Sequence, residues 1–347
     1  MAESWPSRPS LVLVTGATGF IGAHIVDSLL SRGLKVRGTT RSVQKGEQMR
    51  SARPQYASQL EFVQIGDIAT IGTFDNIMDG VDAVIHTASP VTYDVQDNEK
   101  EIITPSINGV KSILQACNLS GSKVRRLVLT SSFAAVVDVT KNNTFGPDFT
   151  YTASHWNPLT WEESVDPATS AVVAYRGGKK FGELEAWDFV AREKTFDLVT
   201  FCPPMVFGPV VHPLSDPSQL NDSNTNLWKI AQGADPLPSA RVPGYVHVEN
   251  LADAHVEALL RPEAGGKRYL AADSEPFTYE MAADIIKEEF PWAREIVTKD
   301  YDSGKEPVAK YHIDGARLTT ELGVKYTPFR EAVVDLVQQM YELSKAN

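Results

Sequence analysis

A doubly wound α/β fold, with a parallel sheet covered by helices on both faces and a smaller C-terminal lobe, follows from three features of this 347-residue sequence. Short apolar runs alternate with longer segments of helical periodicity as far as Pro203, which is the rhythm of βαβ units. Those runs are almost continuously apolar, as strands buried on both faces must be. The first run also passes directly into a glycine-spaced turn before an amphipathic helix, "TGATGFIG". Such a sheet offers its ligand the carboxyl ends of the strands, where the strand order reverses.

The strand candidates in order are "SLVLVTG", "KVRGTTR", "LEFVQIG", "DAVIHTA", "RRLVLTSS" and "FDLVTFCPP". The first helix, "GFIGAHIVDSLLSRG", has apolar residues at helical spacing and a glycine stop at Gly33. After Pro203 the stretch "GPVVHPLSDPSQLNDSNTN" is rich in Pro, Asn and Ser, a composition suited to loops over a site. A strand and helix return in "GYVHVENLADAHVEALLRP", where Asn250 stands as a candidate helix cap. A late strand follows in "KRYLAAD", and the tail segments "FTYEMAADIIKEEFP" and "TPFREAVVDLVQQMYELSK" are helical in pattern. The expected division is 1–203 as a dinucleotide-binding core, with 1–9 a loose arm. Residues 204–347 form a substrate-binding lobe, with 240–272 returning to the core.

Composition narrows the function classes. With 42% apolar and 22% charged residues, the chain can bury a full core. A net charge of −11 gives a nucleic-acid backbone no attractive field. Cys117 and Cys202 both sit in apolar runs, so a disulfide framework is not expected and the compartment reads as reducing. No stretch has the ~18 apolar residues of a membrane span. The expectation is a cytoplasmic protein that binds neither nucleic acid nor membrane. His86, His212, His247 and His255 are too dispersed for a metal site, and Glu162, Glu163 and Asp166 read as a solvent-facing acidic loop. The G-x-S-x-G elbow of a hydrolase is absent.

The glycines of "TGATGFIG" have distinct tasks. Gly16 permits a tight turn, Gly19 lets backbone amides approach a pyrophosphate, and Gly22 lets helix pack on strand. Phe20 and Ile21 complete the loop at the helix start. At the end of the second strand, a fold that binds NAD places an acid on the adenosine ribose. Here the residues are Thr39, Thr40 and Arg41, with Lys45 one turn later. A guanidinium there holds a 2′-phosphate by charge-assisted bonds, so NADPH is expected over NADH.

The spacing G-x-x-G-x-x-G, with "HTAS", "YRGGK" and "YVHVENLADAH", resembles the extended short-chain dehydrogenase/reductase family. Within it, "HTASPV", "INGVKSILQAC" and "LVLTSS" resemble the branch of dihydroflavonol reductases, cinnamoyl-CoA reductases and fungal ketone and aldehyde reductases. The resemblance covers nearly the whole chain and implies a Rossmann core. It also implies further cofactor contacts: Asp67 and Ile68 near the adenine, and Thr87, Ala88 and Ser89 under the ribose and pyrophosphate. The segment from Pro203 to Val206 would lie along the nicotinamide carboxamide.

Tyr175 and Lys179 lie four residues apart in a helical segment, so one face carries both, and a nearby ammonium favours the phenolate of a group whose ordinary pKa is ~10. Such a tyrosine exchanges a proton near neutrality. The resemblance adds that the lysine holds the nicotinamide ribose. Ser132, at the end of the fifth strand, matches the family's catalytic serine better than Ser131. Asn108 matches an asparagine of a proton relay but reads equally well as a structural amide. Arg176, Gly177 and Gly178 depart from the family's usual pattern, and two glycines cost roughly 1 kcal/mol each inside a helix. Either local strain or exclusion of side chains near the cofactor accounts for them.

These residues describe reduction of a ketone or aldehyde by NADPH through a Ser-Tyr-Lys set. A sugar-nucleotide epimerase or dehydratase on the same fold would want an acid in place of Arg41. A non-catalytic dinucleotide-sensing regulator would dispense with the Tyr-Lys pair. Phe133, Pro90, Val91, Met205, Phe207 and the stretch around Thr225 and Trp228 form the expected apolar pocket, which suits an apolar or aromatic carbonyl substrate. The family branch implies a monomer or a homodimer.

Overall fold

A computed structural model of the chain describes residues 8–90, 95–141, 146, 148–302 and 311–346. Residues 1–7 of the expected N-terminal arm, and Val91, lie outside the described residues. In chain order, β1 (Leu11–Thr15), α1 (Phe20–Ser31), β2 (Lys35–Thr40), α2 (Val43–Ser51), β3 (Leu60–Gln64) and β4 (Ala83–His86) are followed by α3 (Thr104–Cys117) and β5 (Arg126–Thr130). Next come β6 (Thr150–Tyr151), α4 (Trp161–Val165), α5 (Ala171–Glu193), β7 (Asp197–Cys202), β8 (Met205–Phe207) and α6 (Asp222–Ala231). The remainder is β9 (Tyr245–His247), α7 (Val248–Leu260), β10 (Lys267–Leu270), α8 (Tyr279–Glu289), β11 (His312–Ile313), α9 (Ala316–Leu322) and α10 (Phe329–Ala346).

The chain forms two compact units. The first comprises Met1–Val139, Ala153–Cys202 and Ala252–Tyr269. Its sheet has seven strands in the order β10-β7-β5-β4-β1-β2-β3, and the pairings from β3 through to β7 are all parallel. From β1 the chain steps outward to β2 and β3, then returns to the other side of β1 for β4, so the order reverses between β1 and β4. That reversal opens the crevice in which such sheets bind ligands. Every residue of β4 is buried, which accounts for the unbroken apolar run in the sequence. Leu13, Val84 and Leu127 of the sheet pack with Ile113 of α3 and Ala186 and Phe189 of α5 in one cluster.

The core also contains an arginine. Arg126 is fully buried, bound to both Asp197 oxygens at 2.6 and 2.7 Å and donating to the carbonyls of Ala258, Arg261 and Pro262. It thereby satisfies backbone groups at the end of α7 that a helix terminus leaves unpartnered.

The second unit comprises Thr140–Thr152, Pro203–Leu251 and Leu270–Asn347. It contains two two-stranded sheets, β8 with β9 and β11 with β6. An aromatic cluster of Phe207, Tyr245, Phe277 and Phe329 forms its core, with ring centroids 5.0 to 6.1 Å apart.

Three local expectations need correction. The polar stretch after Pro203 is not loop throughout: from Asp222 it is α6, with Asn221 in the extended conformation at the N-cap and Asp222 in the first turn. Leu227, Trp228, Ile230 and Ala231 are its buried face, and that burial outweighs the weak helix propensity of "NDSNTN". Asn250 does not cap α7. It lies inside the helix, and its Oδ1 accepts the Thr327 amide at 2.7 Å. Glu162 and Glu163 belong to the short helix α4 rather than a loop, where Thr160 and Glu163 form a reciprocal capping box.

Candidate active site

The glycine loop presents its backbone where β1 meets α1. Gly16 has φ +67°, and a side chain there would crowd Thr87 Oγ1 at 2.8 Å and the Ala88 amide at 3.1 Å. At Gly22 a Cβ would run into the Gly16 carbonyl, with the carbonyl carbon 2.8 Å away. Gly19 is exposed and N-caps α1 with no side-chain cap, so the first amides of the helix face outward at its positive end. Phe20 is buried and Ile21 partly exposed.

The loop after β4 is stitched to this turn. Thr87 Oγ1 donates to the Thr15 carbonyl at 2.7 Å, and the Ala88 amide donates to Thr15 Oγ1 at 3.2 Å. Thr15 Oγ1 also meets His86 Nδ1 at 2.8 Å. Burial, and secondarily the Lys179 charge, push the His86 pKa down to about 3, so its imidazole is neutral near pH 7.

Arg41 follows β2, beside β1, and is exposed, as is Lys45 in the first turn of α2. Gly16 and Thr39 link the two strand ends through a 3.3 Å bond. Asp67 is exposed after β3, where its carboxylate accepts the Ala69 amide at 3.0 Å, and Ile68 packs against the core cluster. A cradle that any Cβ would fill, an uncapped helix start and a cation after β2 together fit a dinucleotide phosphate.

Across the same strand ends runs α5. Lys179 Nζ donates to Ser89 Oγ at 2.9 Å and lies 5.8 Å from the Tyr175 ring centre. Burial of this ammonium depresses its pKa from 10.5 to about 8; Cys202 and Glu183 act the other way. Burial pushes the Cys202 thiol up, so at neutral pH it carries no charge and Glu183 is the effective anion. His86, Ser89, Ser106, Ser131, Lys179 and Glu183 line one small cavity of about 20 Å³.

The adjacent serines at the end of β5 have different tasks. Ser131 is buried and donates to Glu183 Oε2 at 2.6 Å. Ser132 is only partly buried and N-caps the short 3₁₀ turn Phe133–Ala135, accepting the Ala134 amide at 3.1 Å. That contact uses an oxygen lone pair and leaves the hydroxyl proton available to a ligand.

The glycines that depart from the family pattern are packing positions. At Gly177 a Cβ would collide with Ser164 Oγ and stand 2.6 Å from Ser164 Cβ; at Gly178 it would meet Ser106 Oγ at 3.0 Å. Close approach of α5 to α4 and α3 therefore requires them, well inside the helix. Asn108 lies on α3 and is partly exposed. Pro203 and Val206 belong to the second unit, Val206 buried within β8. Phe133 and Phe207, expected to line the apolar pocket, are both buried, and the Phe207 ring packs against Phe277 and Phe329. Pro90 and Met205 remain partly exposed.

Glu183 was not legible as a site residue. It is 1% exposed and receives Arg268 Nε at 2.8 Å, Arg268 Nη2 at 3.1 Å and Thr200 Oγ1 at 2.7 Å besides Ser131. Burial raises the pKa of the carboxyl, but the Arg268 charge and these donors outweigh it and leave the group ionised. Its register, four residues after Lys179 and eight after Tyr175, is the one signal the sequence carries.

Fold and site define a dinucleotide-binding protein of the extended short-chain dehydrogenase/reductase type. A profile of the 3-beta hydroxysteroid dehydrogenase/isomerase family matches residues 13–298, and the chain belongs to that family. It is 32% identical over 351 residues to the NADPH-dependent methylglyoxal reductase of Saccharomyces cerevisiae, covering 95% of this chain and 97% of the relative. To a cinnamoyl-CoA reductase of Medicago truncatula it is 31% identical over 340 residues, covering 97% and 98%. The crystal structure of Candida albicans Gre2 in complex with NADPH superposes with a TM-score of 0.85 at 31% identity, covering 96% of this chain and 99% of that one.

Proposed function

We propose that this chain is an NADPH-dependent carbonyl reductase that converts a ketone or aldehyde to an alcohol. The observation that carries the reading is the Tyr175–Lys179 pair, held at the strand ends by Ser89, in a chain 31% identical to a protein crystallised with NADPH. When bound, NADPH supplies the hydride.

Gly16, Gly19, Phe20, Ile21 and Gly22 cradle the pyrophosphate, and Arg41 with Lys45 takes the 2′-phosphate. Asp67 and Ile68 flank the adenine, and Thr87, Ala88 and Ser89 run beneath the ribose. Pro203 and Val206 orient the carboxamide. Ser132 donates its hydroxyl proton in a hydrogen bond to the substrate oxygen, which strengthens as negative charge develops there. Tyr175 transfers its phenolic proton to that oxygen. The Lys179 ammonium stabilises the phenolate left behind and binds the ribose hydroxyls. In the oxidative direction the same groups act in reverse.

The first unit serves as the dinucleotide-binding part and the second as the substrate-binding part. The substrate is an apolar or aromatic small carbonyl compound, the protein works in the cytoplasm, and it acts as a monomer or homodimer. Among the described residues, no helix is long and apolar enough to cross a membrane. The test follows nicotinamide absorbance with a panel of aryl ketones and aldehydes. NADPH consumption with alcohol formation supports the reading, and an inert protein across the panel refutes it.

A further inference from the structure

The geometry points to Glu183 as a positioning residue for the reaction: it keeps the Lys179 ammonium charged beside Tyr175, and through Ser131 it fixes the end of β5 so that Ser132 faces the substrate. This rests on the reading that Ser132, Tyr175 and Lys179 do the chemistry.

Tyr175, Lys179 and Glu183 follow one another at four-residue intervals along α5, so they share a face of the helix. Glu183 and Lys179 line the same small cavity. The carboxylate joins three strands to α5: Ser131 follows β5, Thr200 and Cys202 lie on β7, and Arg268 on β10. Arg268 is fixed in turn, 3.8 Å over the Trp156 ring and bonded to the Ala153 and His155 carbonyls. Trp187 Nε1 adds a donor at 3.3 Å.

Such a buried pair is weak evidence for stability alone, since apolar residues of similar volume often serve as well. Its location supplies the reason for it. The titratable groups facing Lys179 are Tyr175 and Glu183 on its own helix, His86 on β4, Cys202 on β7 and Arg268 on β10. His86 is neutral, Cys202 is a thiol, and Arg268 is a cation spoken for by Glu183. Near neutral pH, therefore, Glu183 is the anion among them that opposes the burial of the Lys179 charge. The same carboxylate takes the Ser131 hydroxyl at 2.6 Å, one residue before Ser132.

The test compares wild type with Glu183→Gln by two readouts. In ¹³C NMR of lysine-labelled protein without cofactor, the Lys179 resonance is identified by its loss in Lys179→Arg. It is expected to titrate about one pH unit lower in Glu183→Gln. In the pH profile of kcat, the alkaline limb moves the same way, with kcat falling about twofold at pH 7 and about tenfold above pH 9, and the cofactor KM changing less than threefold, roughly 0.65 kcal/mol. If Glu183→Gln fails to fold because Arg268 loses its carboxylate, Glu183→Gln with Arg268→Met removes both charges, and shifts in the same direction but smaller are expected, since a cation is lost with the anion. A folded variant with an unchanged Lys179 titration and pH profile overturns the proposal. A wild type without carbonyl reductase activity overturns the functional reading instead, because the NMR titration still reports on the Glu183–Lys179 coupling.

Discussion

Lys179 Nζ is bonded to Ser89 Oγ at 2.9 Å, so the one helix that carries the candidate proton donor is tied to the loop following β4. That loop is itself bonded to the end of β1 through Thr87 and Ala88. The glycine turn and the Tyr175–Lys179 pair are therefore fixed relative to each other within one unit by a short chain of hydrogen bonds. A phenol and an ammonium at this helical spacing would on a solvated surface be an ordinary pair; here the partners at the strand ends give them a task.

Tyr175→Phe is expected to lower turnover by on the order of 10²-fold or more, the scale of a lost general acid. NADPH binding, followed by fluorescence titration, should stay near the wild-type level. Near-normal turnover in steady-state assays would remove Tyr175 from the role of donor.

The two serines should divide their effects differently between stability and activity. Ser131→Ala takes a donor from the buried Glu183 carboxylate and is expected to cost roughly 1 to 3 kcal/mol in denaturant unfolding, with a smaller loss of turnover than Ser132→Ala because Ser131 only positions Ser132. Ser132→Ala removes the cap of the short turn and should cost up to about 1 kcal/mol, while its main effect is to slow reduction. The opposite pattern, with Ser131→Ala slow but stable and Ser132→Ala fully active, reverses the assignment.

Gly177→Ala should destabilise the fold by roughly 1 to 3 kcal/mol, the usual scale for overpacking. The new methyl meets Ser164, whose hydroxyl is held by the Thr160 carbonyl at 2.7 Å and cannot easily turn aside. An unchanged melting temperature would show that α4 yields freely.

Lys179 links stability to pH. Its folded-state pKa is about 8, below the ordinary 10.5, so between these values the unfolded chain binds more protons and stability rises with pH. Below about 8 the burial cost is present in full. Lys179→Met should therefore raise the melting temperature at pH 7 while abolishing turnover, and the gain should shrink as pH climbs from 8 through 10.5. A gain independent of pH would contradict a buried ammonium.

Arg41→Ala is expected to raise the NADPH Michaelis constant about tenfold or more. A lost charge-assisted bond costs roughly 1.5 to 3 kcal/mol, or one to two decades in affinity. The NADH constant should change little. Equal use of both cofactors by the wild type would mark Arg41 as a loop cation only.

The sheet was legible because its inner strands β1, β4, β5 and β7 are buried nearly throughout and write that burial as apolar runs, and the glycine loop because backbone approach excludes side chains at fixed spacings. Glu183 was not, since a glutamate in a helix looks solvated until Ser131, Thr200 and Arg268, far apart in sequence, converge on it. Gly177 and Gly178 were visible as a departure, but their cause lies in Ser164 and Ser106 on other helices. The start of α6, Asp222 to Asn226, reads as loop because its polar residues hide the apolar face that Leu227, Trp228 and Ile230 bury. The two-residue strands β6 and β11 are too short to carry a period.

The central claim is that this chain passes a hydride from NADPH to a carbonyl carbon. Incubating wild-type protein with NADPH stereospecifically deuterated at C4, on each face in turn, and an aryl ketone, then reading the product by NMR, tests it most directly. The account requires one deuterium on the carbinol carbon from one of the two labelled cofactors. Alcohol formed without deuterium from either, or NADPH left unconsumed across aryl and alkyl carbonyls, would contradict it.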